Sequence, residues 1–374
     1  MNVTGAGANT PRMMPEEAEL ARVTEAVRHV VHGVGIPRPA PEPGATPPVH
    51  LWQGVESYLR TGGKFLRSAL LLWACELMGG RRTAALPVAA GVEIYHTWTL
   101  VHDDIIDRDA RRRGGPSVHE EFRLRGAMEL ELSPEAASHY GLSLAILAGD
   151  VQHAWAVSLL AGASEISPEM ALRLIADLET DVLRAIAEGE ALDLLLSHRP
   201  LSAMDEGDIL DMMAKKTAAL YEFAARAGAV IGLGQYSPDH FLVAPLAAFG
   251  RFCGMAFQLQ DDILGLEGED QELGKPVGSD IREGKRTVIL HHAWRRATPD
   301  QQERLMAIVG DPAAKEQQVR EAIALLGSLG GMEYAARLSR GYLDQALLEL
   351  QVLPDRPERR WLEAFARSMV SRRR

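Results

Sequence analysis

Apolar residues recur at helical spacing along almost the whole chain, and this pattern constrains the fold more than any other feature. They return every three or four positions over eight segments, at 65–78, 87–107, 141–161, 168–196, 208–232, 241–266, 287–309 and 316–350. Such spacing puts apolar side chains on one helix face, whereas the alternation typical of strands is nearly absent. We therefore expect an all-α protein, a single large helical bundle around a central cavity.

The N-terminal region has a different composition from the rest. Its first residues are small and polar with a proline, which predicts a disordered tail. The stretch PEEAELARVTEAVRHVVHG predicts a helix from Pro15 to Gly33, and the six prolines that follow exclude helix and central strand. The expected organisation is a tail at 1–14, a helix with a proline-rich connector at 15–48, and an all-α domain at 49–374.

Composition and charge narrow the class of protein. Hydrophobic residues make up 47% of the chain, enough for a sizeable core, and the net charge of −11 disfavours a nucleic-acid partner. Two cysteines cannot build a disulfide framework, which favours a reducing, cytoplasmic location. The N-terminus lacks the pattern of a signal peptide, and the longest apolar run is broken by Asp150 and His153, so we expect no membrane span.

Two acidic pairs sit in apolar helical sequence. In LVHDDIIDRDARRRGG, Asp103 and Asp107 are four residues apart and share a helix face, with Asp104 beside them. A single motif of this kind is more often a solvated helix end. A second pair, Asp261 and Asp262 in FQLQDDILG, makes a metal site the better explanation, because carboxylates facing each other across a helical bundle suit Mg²⁺.

Basic residues in several separate segments complete this picture. Each taken alone would be interpreted as a surface cation, but together with two acidic sites they predict a pocket for diphosphates. One diphosphate would be bound through metal and a second through cations alone. The residues are Lys64, Arg67, Arg112, Arg113, Lys215, Lys216, Lys275, Lys285 and Arg286. His96, seven residues before Asp103, lies near the same helix face, although a buried core histidine is the alternative interpretation.

Five motifs in order give the chain a clear family resemblance. They are GGKFLR, HTWTLVHDDIID with RRRGG, GD at 149–150, KT at 216–217, and FQLQDD followed by GKPVGSDIREGKRT. From about Gly62 to Thr287 the chain resembles the polyprenyl synthetases, the head-to-tail trans-isoprenyl diphosphate synthases. The resemblance implies an isoprenoid synthase type I-like fold, a homodimer, and Mg²⁺-dependent condensation of isopentenyl diphosphate with an allylic diphosphate, with three Mg²⁺ ions when substrate is bound.

The resemblance also implies a role for each matching residue. Mg²⁺ would be held by Asp103, Asp107 and Asp261, with Asp104 supporting the first two, and Asp262 would belong with them to the catalytic residues. The allylic diphosphate would contact Arg112, Lys216, Lys275 and Lys285. Isopentenyl diphosphate would bind Lys64, Arg67, His96 and Arg113. Thr217 and Gln258 would lie near the reacting carbons.

Three positions depart from the family pattern, and three others bear on the expected product length. Gly265 stands where a third aspartate is frequent, and Phe65 and Ser68 replace residues that are often basic and proline. Bulk below the first aspartate motif limits chain growth in the family. Large Trp98 and Tyr95 beside small Thr99 therefore suggest a short product, geranylgeranyl diphosphate first and farnesyl diphosphate next.

Two other functions stay open at this stage. A class I terpene cyclase shares an all-α fold and one DDxxD motif, but its second metal motif uses Asn, Ser and Glu where this chain has QDD. A non-catalytic partner subunit of a prenyl synthase would have lost the first aspartate motif or its arginines, and both are present.

Overall fold

A computed structural model describes residues 15–34, 48–60, 62–267 and 277–371. Within these residues the chain is all-α, as predicted, and the exception is a two-residue antiparallel pairing of β1 (Arg111–Arg112) with β2 (Gly115–Pro116). The predicted tail at 1–14, most of the proline-rich connector and Lys275 lie outside the described residues.

The helices follow one another with short connections. The first nine are α1 (Pro15–Val34), α2 (Val49–Arg60), α3 (Leu66–Leu77), α4 (Arg82–Ile106), α5 (Val118–Glu129), α6 (Pro134–Ala161), α7 (Pro168–Asp177), α8 (Leu183–His198) and α9 (Glu206–Met213). The others are α10 (Ala219–Leu233), α11 (Val243–Glu267), α12 (Ser279–Glu283), α13 (Val288–Arg296), α14 (Pro299–Met306), α15 (Glu316–Ser328), α16 (Gly331–Glu349) and α17 (Pro357–Ser371). Short 3₁₀ turns at Leu201–Ala203 and Leu350–Val352 complete the set.

Small residues let the central helices approach closely. Helix α4 packs on α6, α10 packs on α3, and α11 packs on both α10 and α16. At Gly91 of α4 an added Cβ would lie 2.3 Å from Leu160 of α6, and at Gly228 of α10 it would lie 2.1 Å from the Leu71 carbonyl oxygen of α3. Side chains therefore interlock at short interhelical distances, which fixes where α3, α4, α10 and α11 present their polar residues.

The observed boundaries refine several predicted segments. The segment 287–309 divides at Thr298, whose side chain caps α14, and the segment 316–350 divides at Gly330, which has a φ of 78°. Helix α5 was not indicated by the periodicity, because few of its side chains, Val118 and Phe122 among them, are buried and apolar.

Two π-turns interrupt the helices, at Leu178–Val182 between α7 and α8 and at Ala214–Ala218 between α9 and α10. Such turns insert an extra residue into a helix and occur often at functional sites. The second one contains Lys216 and Thr217, both predicted site residues.

Helix α6 bears on the predicted absence of a membrane span. Among the described residues it is the one helix long and apolar enough to cross a membrane by length and composition. Its apolar window is 44% buried against the bundle, and the core helix of a soluble protein has the same properties. The absence of a span therefore stays a prediction.

The contact at Gly228 can be tested by substitution. We expect Gly228→Ala to lower the free energy of unfolding by about 1–3 kcal/mol, because the new methyl group would meet the backbone of α3. Gly341→Ala in α16 is the matched control: no atom lies within 4 Å of its added Cβ, so stability should rise by about 0.5–1 kcal/mol. Urea unfolding measures both, and equal effects would contradict the packing described here.

Candidate active site

One cavity brings the predicted residues together. It has a volume of about 580 Å³ and lies between α3, α4, α8, α9, α10 and α11, with the segment 279–287 closing one side. Both aspartate motifs contribute to its wall, and so do both groups of cations. The predicted residues that line it are Lys64, Arg67, His96, Thr99, Asp103, Arg112, Arg113, Lys216, Thr217, Gln258, Asp261, Asp262, Lys285 and Arg286.

The first aspartate motif forms an acidic cluster with a residue that the sequence analysis missed. Asp103 and Asp107 project from the last turn of α4, and Glu190 of α8 faces them. One carboxylate oxygen from each lies within 4.8 Å of the others. Three convergent, partly buried carboxylates fit Mg²⁺, which prefers oxygen ligands and completes its shell with water or phosphate. Asp103 and Glu190 line this cavity, whereas Asp107 lines an adjacent one.

Asp104 has a different role from its two neighbours. It is fully buried, and it accepts a hydrogen bond from the hydroxyl of Tyr58 and another, 2.7 Å long, from Nε of Arg112. Its carboxylate therefore orients Arg112, which lines the cavity, and it stands apart from the acidic cluster. The supporting role expected for Asp104 agrees with this geometry.

Lysine side chains form ion pairs with the carboxylates of the acidic cluster. Nζ of Lys216 lies 3.1 Å from Asp103 and 2.9 Å from Glu190. The same ammonium is 2.7 Å from Asp193 of α8, a second partner that the sequence did not indicate. Nζ of Lys285 lies 2.7 Å from Asp107. The residues expected to hold a diphosphate thus neutralise the metal-site carboxylates in this structure.

The second aspartate motif is linked to the π-turn by a hydrogen-bonded chain. Thr217 donates to the side-chain oxygen of Gln258 at 2.8 Å, and the amide nitrogen of Gln258 donates to Asp262 at 2.8 Å. Burial, with Asp280 and Asp261 nearby, raises the pKa of Asp262 to about 8. Asp261 lines the cavity beside this chain.

Gly265, the departure in the second motif, lies next to another carboxylate. A Cβ added there would be 3.3 Å from Oδ2 of Asp280, and Asp280 also lines the cavity. An acidic group from the segment 279–287 therefore stands near the position of the frequent third aspartate.

The cations expected to bind the metal-free diphosphate converge at the start of α3. Arg67 is buried, with its guanidinium 4.2 Å from the Tyr221 ring, and Arg113 donates to the carbonyls of Tyr58 and Gly62. Lys64 is exposed at the rim of the cavity. Burial and the two arginines lower the pKa of His96 well below its usual range, so this imidazole is neutral at pH 7.

The two departures beside this group also have structural roles. Ser68 is buried and donates to Glu93 at 2.8 Å and to the Ala89 carbonyl at 3.0 Å, so it connects α3 to α4. Phe65 has a φ of 50° and packs under the guanidinium of Arg28 from α1, 5.2 Å from its ring centroid. Arg28 of α1 therefore brings a positive charge next to position 65, where the family often has a basic residue.

Of the predicted chain-length residues, Thr99 forms part of the cavity wall. Trp98 makes an edge contact with Tyr95 at 4.9 Å between ring centroids, and it packs on His153 of α6 at 4.7 Å. His153 is in turn held by Glu179, 2.9 Å away. Trp98 therefore lies on a different face of α4 from Thr99, whereas Tyr95, one helical turn before Thr99, lies on nearly the same face. Both aromatic rings belong to a cluster with His153 of α6.

The raised carboxyl pKa values predict a pH dependence of stability in the absence of Mg²⁺. Burial raises the pKa of Glu190 and of Glu283 to about 7, and that of Asp262 to about 8. Unfolded carboxyls ionise near pH 4, so between these values the native chain binds more protons than the unfolded chain. We expect the free energy of unfolding to decrease as the pH rises from about 4 to 8. Thermal unfolding in EDTA measures this.

A variant separates this effect from general charge repulsion. Asp262→Asn cannot ionise, so the decrease between about pH 6 and 8 should become smaller. The exposed Asp239 provides the control, since Asp239→Asn should leave the profile unchanged. Identical profiles for the wild type and Asp262→Asn would show that this carboxyl is not the cause.

Comparison with known proteins places the chain in a family. The family model for polyprenyl synthetase matches residues 49–326. A short chain isoprenyl diphosphate synthase of Methanothermobacter thermautotrophicus is 37% identical over 327 residues, 87% of this chain and 91% of the relative. A geranylgeranyl diphosphate synthase of Sulfolobus acidocaldarius is 35% identical, over 79% and 82% of the two chains. The crystal structure of geranylgeranyl pyrophosphate synthetase from Pyrococcus horikoshii superposes with a TM-score of 0.79 at 32% identity, covering 95% of this chain and 99% of that one. The chain belongs to the polyprenyl synthetase family.

Proposed function

We propose that the protein condenses isopentenyl diphosphate head to tail with an allylic diphosphate and releases a short-chain prenyl diphosphate, geranylgeranyl diphosphate first and farnesyl diphosphate next. The observation that carries this proposal is the single cavity in which two aspartate motifs and two groups of cations meet. Relatives named geranylgeranyl diphosphate synthases, 33–35% identical to this chain, support the twenty-carbon product.

Mg²⁺ would be held by Asp103, Asp107 and Asp261, with Glu190 completing the first group, and three ions are proposed with substrate bound. Bound metal would neutralise the charge that develops on the departing diphosphate. Once the carboxylates hold metal, Lys216, Lys285 and Arg112 can turn to the allylic diphosphate. Lys275 is proposed as a further contact by resemblance.

The second diphosphate would be bound without metal. Lys64, Arg67 and Arg113 supply the positive charge. His96 is neutral, so its ring can accept or donate one hydrogen bond without adding a charge. A diphosphate held there would direct the isopentenyl double bond toward the allylic carbon, at the level of Thr217 and Gln258.

The proposed reaction begins with cleavage of the allylic carbon–oxygen bond, whose electron pair leaves with the diphosphate. The isopentenyl double bond attacks the allylic cation and forms the new carbon–carbon bond, and the departing diphosphate takes the proton that is then lost. The dipoles of Thr217 and Gln258, fixed by their 2.8 Å hydrogen bond, would stabilise the cation. Apolar wall residues such as Phe257 and Ile186 exclude water from it.

A cytoplasmic homodimer without a membrane span is part of the proposal. Exposed apolar residues on the neighbouring helices α5 and α6 offer a surface for a second copy. They are Leu124, Met128, Leu142, Ile146 and Leu147. The division into tail, connector and all-α domain likewise stays a prediction.

The activity is tested by incubating the protein with Mg²⁺, isopentenyl diphosphate and, in separate reactions, dimethylallyl, geranyl or farnesyl diphosphate. Mass spectrometry identifies the products. We expect chain-extended diphosphates, and we expect Asp103→Ala to reduce the rate at least about a hundredfold because a metal ligand is lost. Asp211→Ala is the control, since Asp211 is an exposed carboxylate paired with Lys215 outside the cavity wall.

Other outcomes would select the rival functions. Conversion of farnesyl diphosphate to a hydrocarbon without isopentenyl diphosphate would establish a terpene cyclase. Absence of turnover by the wild type with every starter would favour the partner subunit.

Product length gives a separate prediction. Thr99 lines the cavity, so Thr99→Phe should fill its lower part and shift the longest product from twenty to fifteen carbons. Trp98→Ala should open space beside Tyr95 and His153 and give products longer than twenty carbons. Thr99→Ser keeps the volume nearly unchanged and serves as the control. The same product distribution from all three variants would show that α4 does not limit chain growth.

A further inference from the structure

Arg286 is a buried cation for which the described residues supply no hydrogen-bonding or ion-pair partner. It lies directly before α13, lines the cavity, and is 7% exposed. Its Nε and Nη1 atoms have no hydrogen-bond acceptor among the described residues. Arg112, Lys216 and Lys285, in contrast, each form an ion pair with a carboxylate of the acidic cluster.

This state is unfavourable for the protein on its own. A guanidinium cannot lose its proton at any ordinary pH, so Arg286 stays charged in its buried position. A buried charge without a hydrogen-bonded counterion lowers the stability of the native state. The arrangement is therefore best explained by an anion that enters the cavity and accepts hydrogen bonds from the Arg286 guanidinium.

Arg67 shows the same combination of properties in another wall of the cavity. It is 9% exposed, and its Nε also lacks an acceptor among the described residues. Two buried guanidiniums with unpaired nitrogens thus face one cavity, which is proposed to hold two diphosphates. Arg67 belongs to the group assigned to the metal-free diphosphate, whereas Arg286 stands apart from that group.

The neighbours of Arg286 indicate which diphosphate it meets. The preceding residue, Lys285, reaches Asp107 of the acidic cluster at 2.7 Å, and Asp280 of the same segment lies beside the second aspartate motif. Arg67 and Arg113 instead converge on Glu93, between α3 and α4. The segment 279–287 therefore borders the metal-binding side of the cavity.

We propose that Arg286, next to Lys285 in the segment 279–287, binds the diphosphate of the allylic substrate. The same contact would persist while the diphosphate leaves the allylic carbon. The inference rests on the proposed function, because it needs a diphosphate in the cavity. It adds one residue whose guanidinium would donate hydrogen bonds to the leaving group directly.

The proposal predicts that removing the Arg286 charge raises the stability of the ligand-free protein and weakens diphosphate binding, and the test measures both effects. Arg286→Met keeps a long side chain but removes the buried charge, so the melting temperature of the ligand-free protein should rise by about 2 °C or more. The same variant should bind Mg²⁺ with inorganic pyrophosphate, and Mg²⁺ with farnesyl S-thiolodiphosphate, about tenfold to a hundredfold more weakly. Calorimetry measures the affinities.

Arg296→Met is the matched control, since Arg296 is an exposed cation in the last turn of α13. It should change neither quantity. Arg286→Lys should keep part of the affinity, because an ammonium restores the charge without the paired donors. In steady-state assays Arg286→Met should raise the KM of the allylic substrate and lower kcat, with little change in the KM of isopentenyl diphosphate.

Three results would overturn the inference. Unchanged affinity of Arg286→Met for both probes would show that Arg286 does not meet the diphosphate. A lower melting temperature of the ligand-free variant would show that the guanidinium stabilises the fold through unseen partners. A rise confined to the KM of isopentenyl diphosphate would assign Arg286 to the other substrate. Failure of the wild type to bind either probe would instead refute the proposed function itself.

Discussion

The convergence of carboxylates at the end of α4 is the constraint on which the rest of the site depends. Asp103, Asp107 and Glu190 bring oxygens within 4.8 Å of one another in a partly buried cavity, where like charges disfavour ionisation. Lys216 and Lys285 relieve this repulsion. Burial opposes their charge, but the surrounding carboxylates outweigh it and raise the pKa of both ammonium groups. Ion pairs from α8, the π-turn and the segment 279–287 thus assemble the site before metal arrives.

Lys216 forms ion pairs with more carboxylates than Lys285 does, and its position depends on the close approach of α8 to the π-turn. A Cβ on Gly189 of α8 would lie 2.3 Å from the backbone nitrogen of Lys216, so a larger residue would separate α8 from the π-turn. Because Glu190 follows Gly189 directly, the same contact brings its carboxylate to Nζ of Lys216, 2.9 Å away. The extra residue of the π-turn also turns Thr217 toward Gln258. One glycine and one irregular turn therefore connect the two aspartate motifs.

The sequence predicted the fold class and most of the cavity wall, because helical periodicity and the two aspartate motifs are local patterns. It did not indicate Glu190, Asp193 or Tyr58. Their importance arises from contacts with residues far away in the chain, and an acidic residue on an amphipathic helix resembles many solvated ones. The π-turns were also missed, since AKKTA reads as ordinary helix. Trp98 and Thr99 were expected to limit chain growth together, although adjacent helical residues point about 100° apart.

Since the site is held by ion pairs, metal and diphosphate are expected to bind in a coupled way. Metal alone would take the carboxylates of the acidic cluster and leave the two buried cations with fewer partners, Asp193 for Lys216 and Glu283 for Lys285. Diphosphate alone would attract those cations and leave the carboxylates to repel one another. Binding of metal alone or of diphosphate alone is therefore unfavourable. When both bind, each ion pair is replaced by a metal–carboxylate contact and a cation–phosphate contact. Within the described part of the chain Arg286 has no ion pair to break. Its proposed attraction to the diphosphate would therefore not be offset by a lost ion pair, and it would favour diphosphate binding.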